Sequence, residues 1–277
     1  MKRPLGLHQL SAMDVSPVDL VDIAAHAGYR TVSLFTNAPV VPLGEQSSKF
    51  VFPTVTPDNK HEVMGRLATH GIDVLNAEFF LMRPDVGLAS YRPGLALAQE
   101  LGARNAVTHV FEPDANRAVD ILGAFCEIAA AEELNVSLEF CPMTPGCKSI
   151  QQATWFVDQV GRSNLGFGIC PLHLIRSGGT ADDIANIDAR YIFYGQLNDG
   201  HGLHQSSAYF DEVHDRQLPG SGDFPLQDIL NALPADLPLE MKTPSDSRRA
   251  EGVSARDFAE DGYRRSRRLI DGLQPVR

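Results

Sequence analysis

Residues Gly166 to Gly179 read GFGICPLHLIRSGG, and the fold is decided on this stretch. An apolar strand, Leu165 to Cys170, breaks at Pro171, with Cys170 and His173 on either side of the break. A tight Ser-Gly-Gly turn at Ser177 to Gly179 and a helix start at Thr180 follow. Polar chemistry at the carboxyl end of a buried strand is where α/β folds place their sites. Two later strand ends, at Gln196 and Glu240, have the same character.

Working outward, the chain alternates strand and helix. Strands are expected at Leu5 to Leu10, Thr31 to Phe35, Ile72 to Ala77, Asn105 to Val110, Val136 to Phe140, Tyr191 to Leu197 and Leu237 to Met241. A hydroxyl cap followed by Pro opens a helix at Ser16-Pro17, and further helices are expected to start at Thr56-Pro57-Asp58, Asp114, Ser149 and Ser254. Gly28, Gly71 and Gly102 close helices just before strands. Such alternation means right-handed βαβ units and a parallel sheet. Counting Leu165 to Cys170, eight strands at roughly 30 to 35 residues per unit predict a single (β/α)8 TIM barrel spanning residues 1–277. An open doubly wound sheet is the competitor, weakened by the absence of a GxGxxG in the first unit. Two long loops, Asn37 to Pro57 and Gly200 to Pro225, are expected to lie over the site or at an interface between copies.

The composition, 43% hydrophobic and 21% charged, is that of an ordinary globular chain, and no apolar run approaches the ~20 residues of a membrane helix. The net charge of −11 argues against a nucleic-acid duplex or an anionic membrane as partner, leaving a small molecule. Cys126, Cys141, Cys147 and Cys170 are expected to be free thiols in a cytoplasmic protein.

On a barrel, strand-end side chains far apart in sequence converge on one face. The candidates are His8, Glu78, His109, Glu139, Cys170, His173, Gln196, Asp199 and Glu240. Glu139 in VSLEF and Glu240 in LPLEM sit at the ends of apolar strands, where a carboxylate must be paired, protonated or bound to a metal. Lys242 or Arg176 could be the partner, and spacing alone does not fix which way either glutamate points. His201, His204 and His214 lack tight metal spacing and read as a solvated loop; Asp199-Gly200 reads as a turn. His173 could cap the helix that follows it.

The runs VSLEFCPM, PLHLIRSGGT, YGQLNDG, RQLPGSGDFPL and LPLEM, in this order, resemble the xylose isomerase-like barrel superfamily, in particular its sugar phosphate isomerase/epimerase branch. The resemblance implies a divalent metal (Mg²⁺, Mn²⁺, Co²⁺ or Zn²⁺) held by Glu139, Cys170, Gln196 and Glu240. It implies Glu139 and Glu240 as acid and base, with His173 near the substrate oxygens and Arg216 facing the substrate. His8, Glu78, His109 and Lys242 are further candidates for substrate contact. One position departs, because Cys170 stands where the family has aspartate. A thiolate favours a softer ion than a carboxylate does. Cys170 is therefore a ligand for such an ion, a bystander to a site completed by water or His173, or the mark of a metal-free site. The expected activity is isomerisation or epimerisation of a small sugar-like or hydroxy-carbonyl compound through an enediolate. A lyase on the same site and a non-catalytic ligand-binding barrel are the alternatives. A DNA-repair role, found elsewhere in the superfamily, is opposed by the acidic charge.

Overall fold

In the computed structural model, which describes residues 3–38 and 51–272, eight parallel strands close into a barrel in sequence order. The strands are β1 Leu5–His8, β2 Thr31–Phe35, β3 Asp73–Met82, β4 Asn105–Val110, β5 Asn135–Leu138, β6 Leu165–Ile169, β7 Ile192–Leu197 and β8 Leu239–Met241. Between and after them run α1 Pro17–Ala27, α2 Lys60–His70, α3 Arg92–Glu100, α4 Ala115–Ala130, α5 Ile150–Val160, α6 Pro171–Arg176, α7 Ala181–Ala185, α8 Tyr209–His214, α9 Leu226–Ala232, α10 Asp246–Ala250 and α11 Ala255–Asp271. This is the expected (β/α)8 barrel. Among the described residues no helix is long and apolar enough to cross a membrane. All four cysteines are buried and unbridged.

Helix signals act as written at Ser16-Pro17 and Thr180, but not at Thr56-Pro57-Asp58, where α2 begins only at Lys60 and Asn59 ahead of it makes no side-chain cap bond. The Ser16 hydroxyl accepts the Asp19 N–H at 3.1 Å, Pro17 takes the first helical position, and Gly28 ends α1 at φ 100°. Thr180 and Asp183 form a reciprocal capping box at the start of α7. Leucines, valines and phenylalanines of the strands pack outward under the helices in one continuous core.

Several boundaries differ from the sequence reading, each for a local reason. Strand β1 stops at His8, because the Leu10 N–H turns back onto His8 Nδ1 at 2.9 Å and a 3₁₀ turn, Gln9–Ala12, follows. Strand β3 runs on through Glu78 and Phe79 to Met82, where Leu81 and Met82 still pair with β4. Pro171 opens a helix rather than only breaking a strand, so α6 carries His173. The loop 200–225 contains α8. In the loop 37–57, residues 39–50 lie outside the described residues; Thr54 bridges to Phe35, and the Phe52 ring packs on Phe35 at 5.0 Å.

The glycines of GFGIC have a structural reason. A Cβ on Gly168 would sit 2.5 Å from the Tyr194 ring and hydroxyl, so the bare backbone of β6 lets the fully buried tyrosine lie across it. Gly168→Ala is therefore expected to displace Tyr194 and cost ~1–3 kcal/mol of stability, as overpacked cores do. A urea melt matching the parent would show that the ring has room to move.

Candidate active site

Parallel register brings the polar side chains to the carboxyl ends of the strands. Gln196 on β7 stands beside Glu240 on β8, and Ser33 on β2 beside Asn76 on β3. Glu240 accepts from the Ser33 hydroxyl, from Asn76 Nδ2 at 3.0 Å and from Gln196 Nε2 at 3.0 Å. Glu139 lies one residue past β5 and accepts from the Tyr194 hydroxyl and from Gln196 Nε2 at 2.5 Å. The Gln196 amide thus ties the two glutamates together, and both turn toward the barrel interior.

Lys242 supplies the counter-charge. Its ammonium lies 3.1 and 3.0 Å from the two Glu139 oxygens, 3.7 Å from Glu78, and 5.0 Å from the centre of the Phe79 ring. Burial alone would raise the Glu139 pKa. The Lys242 ammonium, His109, His173 and the Tyr194 hydroxyl outweigh it and hold the carboxyl below the usual range. For Lys242, the surrounding carboxylates outweigh a burial that favours the neutral amine, so it stays charged. Burial pushes Glu78 up to about 8 and raises Glu240 as well. Of the two partners weighed in the sequence, Lys242 takes the role. Arg176 pairs instead with Glu212 at 2.6 Å and donates to the carbonyls of His201, Gly202 and His204.

A cavity of ≈ 120 Å³ opens above this layer. Its polar lining is Glu139, Lys242, Arg216, His109, His173, His214 and Thr144, and among the lining residues Glu139 is the one carboxylate. Burial pushes the His109 pKa down to about 4 and that of His173 well below the ordinary value, so both rings face the cavity neutral. His109 Nε2 lies 3.6 Å from Glu139, and His173 Nδ1 is 2.7 Å from the Tyr209 hydroxyl on α8. His173 is therefore not a cap: Tyr209, itself 3.3 Å from Cys141 Sγ, fixes which way the ring faces. His8 and Glu78 lie deeper and do not line the cavity.

The four side chains that the resemblance names as metal ligands are only partly gathered. Glu139, Gln196 and Glu240 meet; Cys170 Sγ instead lies 3.5 Å from Asn198 Nδ2 and 3.5 Å from Arg216 Nη1. Among the described residues, the His, Cys, Asp and Glu side chains whose ligand atoms converge within 4.8 Å are His8, Glu78 and Glu240. His8 Nε2 approaches Glu78 Oε1 at 2.7 Å, yet that nitrogen and both Glu78 oxygens are buried without a hydrogen-bond partner. Gln196 Oε1, one bond from the two glutamates, is also without one. Two carboxylates and an amide oxygen with unspent lone pairs fit a divalent cation of the Mg²⁺–Mn²⁺–Zn²⁺ range, with the His8 imidazole a ligand only once its Nε2 proton is displaced. His8 is the weaker member, since accepting from Leu10 on Nδ1 places its proton on Nε2. Adding Mn²⁺ or Zn²⁺ to chelator-stripped protein is expected to raise Tm, by about 2.7 kcal/mol of stability at a hundredfold excess over Kd. Glu78→Gln is expected to remove most of that shift; a shift of full size in the variant would take Glu78 out of the ligand set.

Asp199, expected as a plain turn residue, is a hub. It is buried and accepts the N–H groups of Gly200, Gly220, Gly222 and Phe224, fixing the PGSG turn against β7. Tyr194, Ser33, Asn76 and Tyr209 were not singled out by the sequence. The available signal was a polar or phenolic side chain inside an otherwise apolar strand, as at Asn76 in DVLNA; Tyr209, in a loop, had none.

The chain belongs to the xylose isomerase-like TIM barrel family, whose model matches residues 21–270. No curated protein matches it. Among solved structures it superposes on an IolI protein with a bound zinc atom, with TM-score 0.80 and 16% identity over 100% of both chains. It also superposes on a D-psicose 3-epimerase from Clostridium cellulolyticum H10, with TM-score 0.71 and 14% identity over 98% of this chain and 99% of that one. A third match is the probable 3-DHS dehydratase AsbF of Bacillus anthracis, with TM-score 0.71 and 15% identity over 95% and 98% of the two chains. At these identities the likeness speaks for the fold, and the reaction has to be argued from the site.

Proposed function

We propose that the protein is an isomerase that moves a proton between the carbons of a small hydroxy-carbonyl compound, with Glu139 as the base. The observation that carries this reading is the Glu139–Lys242 ion pair, buried at the floor of a cavity in which Glu139 is the one lining carboxylate. Glu139 is held ionised and faces the space where a carbon acid would sit. When Glu139 takes a proton from the carbon next to a carbonyl, negative charge leaves the carboxylate and appears on the substrate oxygen. The Lys242 ammonium, in contact with Glu139, is released to face that oxygen, so the buried charge stays balanced through the step. His109 and His173, neutral and at the cavity wall, can donate to the same or the neighbouring oxygen. One of these imidazoles gives its proton to the former carbonyl oxygen and takes the proton of the neighbouring hydroxyl, so that the second oxygen becomes the new carbonyl, and the protonated Glu139 returns its proton to the former carbonyl carbon.

A divalent cation would be held by His8, Glu78 and Glu240, with Gln196 beside them, and would supply Lewis-acid charge beneath the cavity floor. Glu240 is held by Ser33, Asn76 and Gln196 and does not line the cavity. That favours chemistry with one base, isomerisation, over epimerisation with Glu139 and Glu240 on opposite faces. The same single-base geometry would serve a lyase that expels a β-hydroxyl, the reading favoured by the likeness to AsbF, a probable 3-DHS dehydratase. The test is incorporation of deuterium from solvent into a panel of open-chain and cyclic hydroxy-ketones, followed by NMR. Exchange next to the carbonyl is expected. A panel with no exchange, with or without added Mn²⁺ or Mg²⁺, would remove the proton-transfer reading.

A further inference from the structure

We infer that the substrate is a monocarboxylate with an apolar or ring-like body, rather than a polyhydroxylated sugar or a sugar phosphate. The inference rests on the proton-transfer reading for its site, but on Arg216 and the cavity walls for its content.

Arg216 is only 4% exposed, and it lines the cavity. The acceptors it has are two backbone carbonyls, Val213 at 3.4 Å and Lys242 at 3.3 Å, and Cys170 Sγ at 3.5 Å. Among the described residues no carboxylate pairs with it. The other charges of the cavity cancel, since Glu139 and Lys242 form a pair and burial disfavours the charged form of His109, His173 and His214. One positive charge is left over, on a guanidinium taken almost wholly out of water. A buried charge without a partner is costly, and an incoming anion removes that cost. A carboxylate matches the planar edge of a guanidinium in shape and in single charge. A phosphate dianion would bring one charge too many for this site, and Lys242 is already engaged with Glu139.

The walls limit what the anion can be attached to. Phe52, Phe79, Phe111, Leu81, Met143 and Val213 form most of the remaining lining. An open-chain sugar carries a hydroxyl on nearly every carbon, and each one pressed against such a wall loses its water without gaining a partner. A flat or ring-shaped carbon body instead gains from contact with three phenylalanine rings. The polar groups that remain, Glu139, Lys242, His109 and His173, can serve one carbonyl and its neighbouring hydroxyl.

The test is equilibrium binding, measured by calorimetry and thermal shift, of benzoate, benzyl alcohol, fructose and inorganic phosphate to the full chain. Benzoate is expected to bind at least tenfold more tightly than benzyl alcohol, which keeps the ring and loses the charge, and tighter than fructose or phosphate. Arg216→Met is expected to abolish the preference for benzoate over benzyl alcohol. The comparison on the parent protein stands by itself if that variant does not fold. Fructose or phosphate binding as tightly as benzoate, or an equal affinity for benzoate and benzyl alcohol, would overturn the inference. Since no turnover is read, benzoate binding in a protein that exchanges no substrate proton would overturn the proposed reaction alone. Proton exchange on sugars in a protein indifferent to benzoate would overturn this inference alone.

Discussion

Glu139→Gln is expected to slow solvent deuterium exchange by ~10³-fold or more, within the range that loss of a positioned acid or base produces. The amide keeps the size of the carboxylate and can still accept from the Tyr194 hydroxyl, so the barrel floor is retained. What is lost is the one basic oxygen pair that faces the cavity. Benzoate binding, which depends on Arg216 and the apolar walls, should change only a few fold. That split separates loss of chemistry from loss of the site. The variant should also be less stable, because Lys242 then lies buried with Glu78, at 3.7 Å, as its nearest remaining carboxylate. Exchange at the parent rate in a folded variant would remove Glu139 as the base, and the carbon-acid mechanism would need another group in the cavity.

The strand count, the alternation and the glycine-closed helices made the barrel legible in the sequence, because each local signal has one structural outcome. The capping residues Ser16, Asp114, Ser149 and Ser254 were legible for the same reason: a hydroxyl or carboxylate ahead of a helical run has free N–H groups to accept. The site was legible as a list of strand ends, but not as a geometry. Strand parity decides whether a side chain faces the barrel axis or the helices, and a shift of one residue reverses it. Glu139 lies one residue beyond β5 and Glu240 lies within β8, yet both meet Gln196. No spacing rule could pair them. Cys170 shows the opposite limit. Its motif position suggests a ligand, while its surroundings, Asn198 and Arg216, both come from the segment that follows β7 and leave it beside a cation. Asp199 was misjudged because its partners, the N–H groups of Gly220, Gly222 and Phe224, are more than twenty residues away.

Lys242→Met tests the other half of the ion pair, and its effect should depend on pH. The substitution keeps the length of the side chain and removes the charge. Glu139 would keep Tyr194 and Gln196 as donors but lose the one ammonium that, among the described residues, is at contact distance from it. Breaking a buried pair from one side costs about 3–5 kcal/mol, because the remaining charge is left desolvated. In the parent, Glu139 is held below its unfolded value, so its contribution to stability is present above the ordinary carboxylate range and is lost only in strong acid. In the variant, burial dominates and raises the same carboxyl. A raised pKa stabilises the folded form at low pH, and that contribution is lost as pH rises through the raised value. The deficit relative to the parent should therefore be largest near pH 8 and shrink toward pH 5, where Glu139 can take up a proton and stay buried neutral. Adding Glu139→Gln to Lys242→Met should restore much of the stability at pH 8, since neither charge is then left alone. The double-mutant cycle should give a coupling of at least ~1 kcal/mol. Urea melts of the four proteins at both pH values provide the measurement. A deficit independent of pH, together with additive single effects, would mean that Lys242 supports the barrel by packing against Phe79 and not by neutralising Glu139.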